Sequence, residues 1–384
     1  MRSSFETIET GQVLGELINQ YNYQRFNSSA RNIINKKDMT AKGIYIYGFV
    51  PNFYSTEMFR SLENSGLSAI TYDNISAIIS EKDGVSIDYT DRESLGTLLV
   101  HHQQTIEELQ CLGFTVLIPM RLGTIVKTKE DVFKIFKNGY ELITETLKKI
   151  QFLTEIDLAV TWADFPGLLK DIASLPEILE MKEKILQAVD KLSQEDQMKA
   201  GMLVQSKLKE KNSKVELNIL DLLSQVSLDI KTHDVMNDQM ITNSAFLINR
   251  NSQDKFEQVI GQLDDEYKGA LNFRMVGPLP CYSFYTIEIK ELNSDHIAQA
   301  NAELGLKDEV SESEIKKAYL AKARMFHPDI SNESSNEENF NRIAKAYHTL
   351  LDYSQAVRQS LKGENKSQSK ENSIGNLILV KIKE

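Results

Sequence analysis

Residues 314–329 read Glu-Ile-Lys-Lys-Ala-Tyr-Leu-Ala-Lys-Ala-Arg-Met-Phe-His-Pro-Asp, and residues 339–352 read Asn-Phe-Asn-Arg-Ile-Ala-Lys-Ala-Tyr-His-Thr-Leu-Leu-Asp. Ser311 with Glu314 three positions on is a capping box, so a helix starts there. Ile315, Ala318, Tyr319, Lys322 and Phe326 fall on one face of that helix, apolar except for Lys322. Phe340, Ile343, Ala346, Tyr347 and Leu350 supply the facing stripe of a second helix, and two helices of this length pack antiparallel. Pro328 disfavours helical geometry at His327, which ends the first helix. His327 and Asp329 are then presented in a loop stiffened by the proline ring, where Asp329 can accept a bidentate arginine from a partner.

Working outward, residues 293–358 read as an all-helical, highly charged module. Residues 359–375 read as a polar linker, and 376–383 as a strand that needs a sheet edge to join. The expected edge is in the preceding α+β unit, which makes the helical module an insertion.

Upstream, residues 1–42 read as a polar leader with a short helix around Val13, Leu14 and Leu17. Ile44–Val50 is a β-branched and aromatic strand stopped by Pro51. A helix over 54–64, a hairpin of Leu67–Tyr72 and Ile75–Ile79 about Asp73-Asn74, a helix over 92–112, a strand at Val116–Pro119 and a helix over 129–151 follow. Glu155–Trp162 is read as the strand closing this first α+β unit, 43–165. Residues 166–225 read as a helical connector, with helices over 176–193, 196–210 and 214–226. A second α+β unit, 226–292, has strands at 226–230, 240–248, 271–276 and 282–289 around a helix at 253–267. The fold class is therefore α+β with an all-α hairpin near the C-terminus, and the two α+β units are open to sharing one topology.

Of the 384 residues, 41% are apolar and 26% charged, ordinary for a chain able to bury real cores. A net charge of -11 disfavours nucleic acid as a partner bound through bulk electrostatics. Cys111 and Cys281 are the only cysteines, which excludes a disulfide framework and a cysteine-based zinc site. There is no apolar run of membrane-spanning length, so no membrane partner is expected, and a reduced, cytoplasmic setting is. No Walker loop, G-x-G-x-x-G, H-E-x-x-H or G-x-S-x-G occurs, so the expectation is no enzyme, no cofactor and no metal.

The 314–352 segments, opened by Leu304-Gly-Leu306 and Val310–Glu314, resemble helix II, the His-Pro-Asp loop and helix III of a J-domain. The resemblance implies docking to a DnaK-type chaperone through His327, Pro328 and Asp329, flanked by Lys316, Lys317, Lys322 and Arg324. Leu320, Ala321 and Met325 stand where such a helix commonly has arginine or lysine, which weakens electrostatic steering. The alternative is an ordinary helical hairpin with a polar turn.

The remainder resembles the gas vesicle GvpL/GvpF family over residues 43–290. The segments that carry this are Tyr45–Val50 with Tyr45, Tyr47 and Gly48; Val116–Val126 with Pro119, Arg121 and Gly123, and Leu122 in place of the usual Phe; Glu155–Trp162; Asn243–Arg250 with Phe246; and Gly277–Phe284 with Pro278, Pro280 and Tyr282. The resemblance implies a ferredoxin-like first domain joined by helices to a second α+β domain. It also implies an accessory role without catalysis, with the apolar shell protein and other accessory gas vesicle proteins as partners, in the cytoplasm at the vesicle.

Arg121 is expected to bind a partner's carboxylate or, more often, an internal one such as Glu155. Tyr45 and Tyr47 share one side of their strand, as an apolar binding surface or as half-buried sheet. His101 and His102 are adjacent on a helix and so face apart, which disfavours a metal pair. Three functions stay open: an assembly factor that brings a chaperone to the shell protein, a minor constituent of the shell, and a general co-chaperone.

Overall fold

The computed structural model describes residues 43–82, 92–187, 194–307, 311–326, 334–363 and 377–383. The expected leader, 1–42, lies outside them, as do His327, Pro328 and Asp329, residues 364–375 of the expected linker and residue 376 of the expected last strand. The chain divides into two units, one built on residues 43–148 together with 285 onward, the other on 149–284.

The first unit begins with β1 (Gly43–Pro51), which is buried along nearly its whole length because apolar residues occupy both faces. Helix α1 (Thr56–Ser61), started by Ser55 accepting from Met58 N at 3.3 Å, runs into a 3-10 turn at Leu62–Ser65. The hairpin of β2 (Ser68–Tyr72) and β3 (Ile75–Lys82) turns at Asp73, whose φ of 51° suits an aspartate. Helix α2 (Arg92–Cys111), β4 (Ile118–Pro119), β5 (Ile125–Val126) and α3 (Lys129–Ile150) follow. Only two residues of the expected strand at 116–119 pair, although Val116 and Leu117 are buried. The sheet runs β2-β3-β1-β4, with β5 also on β1, and all pairings are antiparallel. This is the strand order of a ferredoxin-like split βαβ fold.

Gly48 explains how so short a β4 holds. A Cβ at Gly48 would sit 2.5 Å from the Ile118 carbonyl oxygen, so only glycine lets β4 approach.

The second unit contains β6 (Leu153–Trp162), α4 (Phe165–Ala173), α5 (Pro176–Gln187), α6 (Gln194–Ser224), β7 (Asp229–Thr232), β8 (Met240–Asn249), α7 (Gln253–Tyr267) and β9 (Leu271–Leu279). Its sheet runs β7-β8-β6-β9, all antiparallel, repeating the strand order of the first. Three sequence expectations are corrected here. Glu155–Trp162 does not close the first unit; it is the central strand of the second, since it is buried on both faces and needs a neighbour on each side.

The 166–225 segment is not a connector. Leu168 and Ile172 of α4 and Leu208, Val215, Ile219 and Leu223 of α6 lie in one core with Ile156, Leu158, Val160, Phe246 and Phe256, so these helices are the crossover between β6 and β7. The helices expected at 196–210 and 214–226 are one of 31 residues, because the polar stretch between them holds neither Gly nor Pro. Asn212 in that stretch accepts from the Trp162 indole at 2.7 Å, which places Trp162 in the core with its polar edge satisfied.

The chain then returns to the first unit with β10 (Thr286–Leu292), α8 (Ser294–Leu304), α9 (Glu312–Met325), α10 (Ser334–Gly363) and β11 (Leu377–Lys383). β10 and β11 form an antiparallel ribbon. The last strand does find β10, but both belong with the 43–148 unit rather than with the second α+β unit. Arg121 N donates to Ile287 O at 2.8 Å, and Met120 bridges Ile287.

Gly48→Ala should cost about 1–3 kcal/mol through the clash at Ile118. Thermal unfolding followed by circular dichroism checks this; an unchanged midpoint refutes the close approach.

Candidate functional site

The helical module packs around Ala300, Leu304, Ile315, Ile343, Ala346 and Leu350, with Ala318, Tyr319, Phe326 and Tyr347 half-buried against them. Tyr319 and Tyr347 stack with centroids 4.3 Å apart and planes at 18°. Phe340 is half-buried. The expected stripes therefore meet.

Ser311 caps α9 as the sequence predicts: its hydroxyl accepts from Glu314 N, and its own N–H donates to the Glu314 carboxylate at 2.8 Å. The Ser311 hydroxyl, donating to the Glu314 carboxylate at 2.7 Å, and then the Ser311 N–H hold that carboxyl below its usual range. α8 ends at Gly305 with φ 69°, and Leu306 N donates back to Asn301 O at 2.8 Å. Phe326 caps α9, so the helix stops just before His327.

Lys316, Lys317 and Arg324 are exposed on α9. Lys322 is not beside them. It is half-buried and its ammonium donates to the Glu303 carbonyl in the last turn of α8, where a cation is favoured.

The module is fixed to β10 and β11. Asp352 of α10 is only 8% exposed and takes the Lys290 ammonium at 2.5 Å and that of Lys381. Burial raises its carboxyl, but the two lysines outweigh burial and hold it below the usual range. Ala356 is buried with Leu292 and Leu379, and Tyr353, Ile297 and Leu377 close around them.

The Gln359 amide donates to Val380 O at 2.7 Å and accepts from Val380 N at 3.1 Å, as a neighbouring strand would. Gln359 is helical because α10 runs to Gly363, so residues 359–363 are not linker. From α3, Asn138 donates to Ile378 O at 2.6 Å. A Cβ at Gly139 would lie 2.8 Å from Val380, so glycine permits this contact. A cleft of about 790 Å³ lies between α8, α10 and β10; its Arg121, Lys290, Lys381 and Arg342 are ion-paired with Glu288, Asp352 and Glu303.

The other motif residues are brought together by folding, in two groups. In the first unit, Tyr45 and Tyr47 are buried, not a surface: Tyr45 OH lies 2.8 Å from His102 Nδ1 and accepts from Gly123 N at 3.1 Å. Tyr47 OH reaches Ser80 and His101, each at 3.3 Å. Pro119 pairs with Gly48 across β4 and β1. Arg121 pairs with Glu288 at 3.5 Å, not with Glu155.

In the second unit, Glu155 is buried and accepts from Ser283 N and Oγ, both at 2.8 Å. Burial first, then the charge of Asp157, pushes the Glu155 carboxyl well up; burial raises Asp157 to about 6. Burial and the Glu155 charge push the neighbouring Cys281 thiol to about 12, far from a nucleophile's range. Gly277 has φ 154° and leaves 3.0 Å for a Cβ before the Glu155 carbonyl; the Gly277–Pro278 bond is cis. Pro280 is buried, Tyr282 half-buried and Asn243 buried; Phe246 packs on Phe256 at 5.2 Å. The sequence pointed to Glu155 but missed its partners Asp157 and Ser283. Asp157 was legible as the next same-side residue on a strand.

Residues 43–286 match the family described as gas vesicle synthesis protein GvpL/GvpF, and residues 302–358 match the DnaJ domain. Gas vesicle protein F of Nostoc sp. is 25% identical over 250 residues, covering 64% of this chain and 99% of that protein. DnaJ homolog 1, mitochondrial, of Saccharomyces cerevisiae is 37% identical over 87 residues, covering 22% of this chain and 17% of that protein. The crystal structure of gas vesicle protein GvpF from Anabaena sp. PCC7120 is similar in fold, with a TM-score of 0.53 at 22% identity over 63% of this chain and 98% of that one.

Two outcomes are expected. A carboxyl raised on folding contributes stability at low pH that is lost as pH rises through its folded value, here from 3.8 to about 6 for Asp157. Glu155→Gln removes the second acid, so its thermal midpoint should fall less than wild type from pH 4 to pH 7, about those limits; parallel profiles refute the pair. Asp352→Ala should loosen the module by about 1–2 kcal/mol, between the exposed and buried limits for ion pairs. Hydrogen exchange should then speed up in 377–383 and in the last turns of α10 while the α8–α9 core keeps its protection.

Proposed function

The chain belongs to the gas vesicle synthesis protein GvpL/GvpF family and carries a DnaJ domain, and on that premise we propose that it is a non-enzymatic assembly factor for gas vesicles. Its GvpF-like part holds the apolar shell protein, and its DnaJ domain brings a DnaK-type chaperone to the same subunit, in the cytoplasm at the growing vesicle. The carrying observation is how the DnaJ domain is mounted: α10 is bound to β10 and β11 through Asp352 and Gln359, while Lys316, Lys317 and Arg324 of α9 remain exposed. A module used only as structural filler has no need to leave that helix open.

The pairing also has a physical logic. A subunit destined for an apolar shell exposes hydrophobic area in water before assembly, and such area drives aggregation. Binding client and chaperone on one chain raises the effective concentration of one at the other without any new contact. The raised Cys281 thiol and the Ser283-bonded Glu155 act in packing and hydrogen bonding, which fits binding rather than catalysis.

His327→Gln in the full chain tests the chaperone half. Wild type should stimulate ATP hydrolysis by the host's DnaK-type chaperone and the variant should not, while both retain the shell subunit in a pull-down. Equal stimulation by both proteins rejects chaperone recruitment; failure of both to retain the shell subunit rejects the client role.

A further inference from the structure

The turn between β1 and α1 holds an aromatic side chain out in water: Phe53 is 63% exposed. Its neighbours on both sides are pinned. Asn52 N donates to Asn74 O at 2.9 Å and Asn52 Nδ2 to Asp73 O at 2.7 Å, which ties the turn to the β2–β3 hairpin. On the other side Tyr54 OH accepts from Val116 N at 2.7 Å. The ring is therefore presented from a fixed turn, without the ordering cost that a loose loop carries on binding.

Phe53 is the outer end of a continuous aromatic series. Its ring centroid lies 4.6 Å from that of Tyr54, and the Phe114 ring lies 4.9 Å from Tyr54 and 5.4 Å from Phe59. Phe114 is in the core, while Tyr54, Met58 and Phe59 are half-buried. The Met58 methyl covers Gly113, 3.1 Å from where a Cβ there would stand. The charges closest in the chain, Glu57 and Arg60, are exposed and of opposite sign.

We propose that Phe53, backed by Tyr54, Met58 and Phe59, is the contact through which the GvpF-like part holds the apolar shell protein. This rests on the reading that the chain has such a client, and it gives that client a surface. Charge and area favour this occupant. The four side chains are aromatic or thioether, so they gain by covering apolar surface and offer nothing to a partner recognised by its charge. A second copy of the chain would need about 800 Å² on each side of a stable interface. One exposed aromatic side chain, worth about 150–250 Å² when wholly covered, with three neighbours already half-buried, falls short of that. A contact of this size serves as a single anchor in a larger, looser engagement. It also lets go of a subunit that must pass on into the shell.

The test titrates the host's shell subunit against the immobilised full chain in a pull-down. Phe53→Gln replaces an exposed side chain, so the thermal midpoint should match wild type. The variant should need about tenfold more shell subunit for half-maximal retention. Phe53→Trp keeps an aromatic anchor and should stay within about twofold of wild type. ATPase stimulation of the host's DnaK-type chaperone should be the same for all three proteins. If Phe53→Gln retains the shell subunit as well as wild type does, the patch is wrong and the client role survives. If wild type itself retains none, the client role fails and the patch with it. If Phe53→Gln instead loses chaperone stimulation, or turns a wild-type dimer into a monomer in sedimentation with retention intact, the patch has another occupant and the inference is overturned.

Discussion

Strand β11 is a seven-residue segment whose backbone is claimed on both sides. One edge pairs with β10 along its whole length. Away from β10, Asn138 of α3 bonds Ile378 O, and Gln359 of α10 bonds both the N–H and the C=O of Val380. An open strand edge is a site for adventitious pairing, and amide side chains close this one. The absence of a side chain at Gly139 and the apolar contacts of Leu379 and Ala356 complete the joint. Asp352 adds charge, tying Lys290 of β10 and Lys381 of β11 to one helix. The DnaJ domain is therefore a mounted part of the first unit, and α10 is long because its last turns form the mount.

The buried polar groups of both units do related work. Tyr45, Tyr47, His101, His102 and Gly123 form a hydrogen-bonded cluster between β1, α2 and the turn after β4. Glu155 does the same for β6 and the segment after β9, through Ser283. Residues that carry a family resemblance are easily taken for a binding site. Here Tyr45, Tyr47, Gly48, Glu155 and Gly277 hold strands and turns together, since a buried polar group must find its partner inside. On α9, by contrast, apolar and basic side chains alternate in water.

The features legible from the chain alone are local ones. The capping box at Ser311, the stop at Pro328, the hairpin at Asp73-Asn74 and the apolar stripes of α3 and α9 are decided by residues within a few positions of one another, so they were legible. The resemblance of 43–290 and of the J-like segment was legible for the same reason, as contiguous motif. Tertiary structure decided which strands share a sheet. β6 reads equally well as the last strand of one unit or the first of the next; only its two partners, β8 and β9, settle it. That choice turns the 166–225 helices from connector into crossover and makes the two units repeat one strand order. The inward turn of Lys322, the pairing of Arg121 with Glu288 and the mounting of α10 on β11 likewise join residues distant in the chain. Periodicity reports which face is apolar, but hydrogen-bond register and close approach depend on partners that only the folded chain brings within reach.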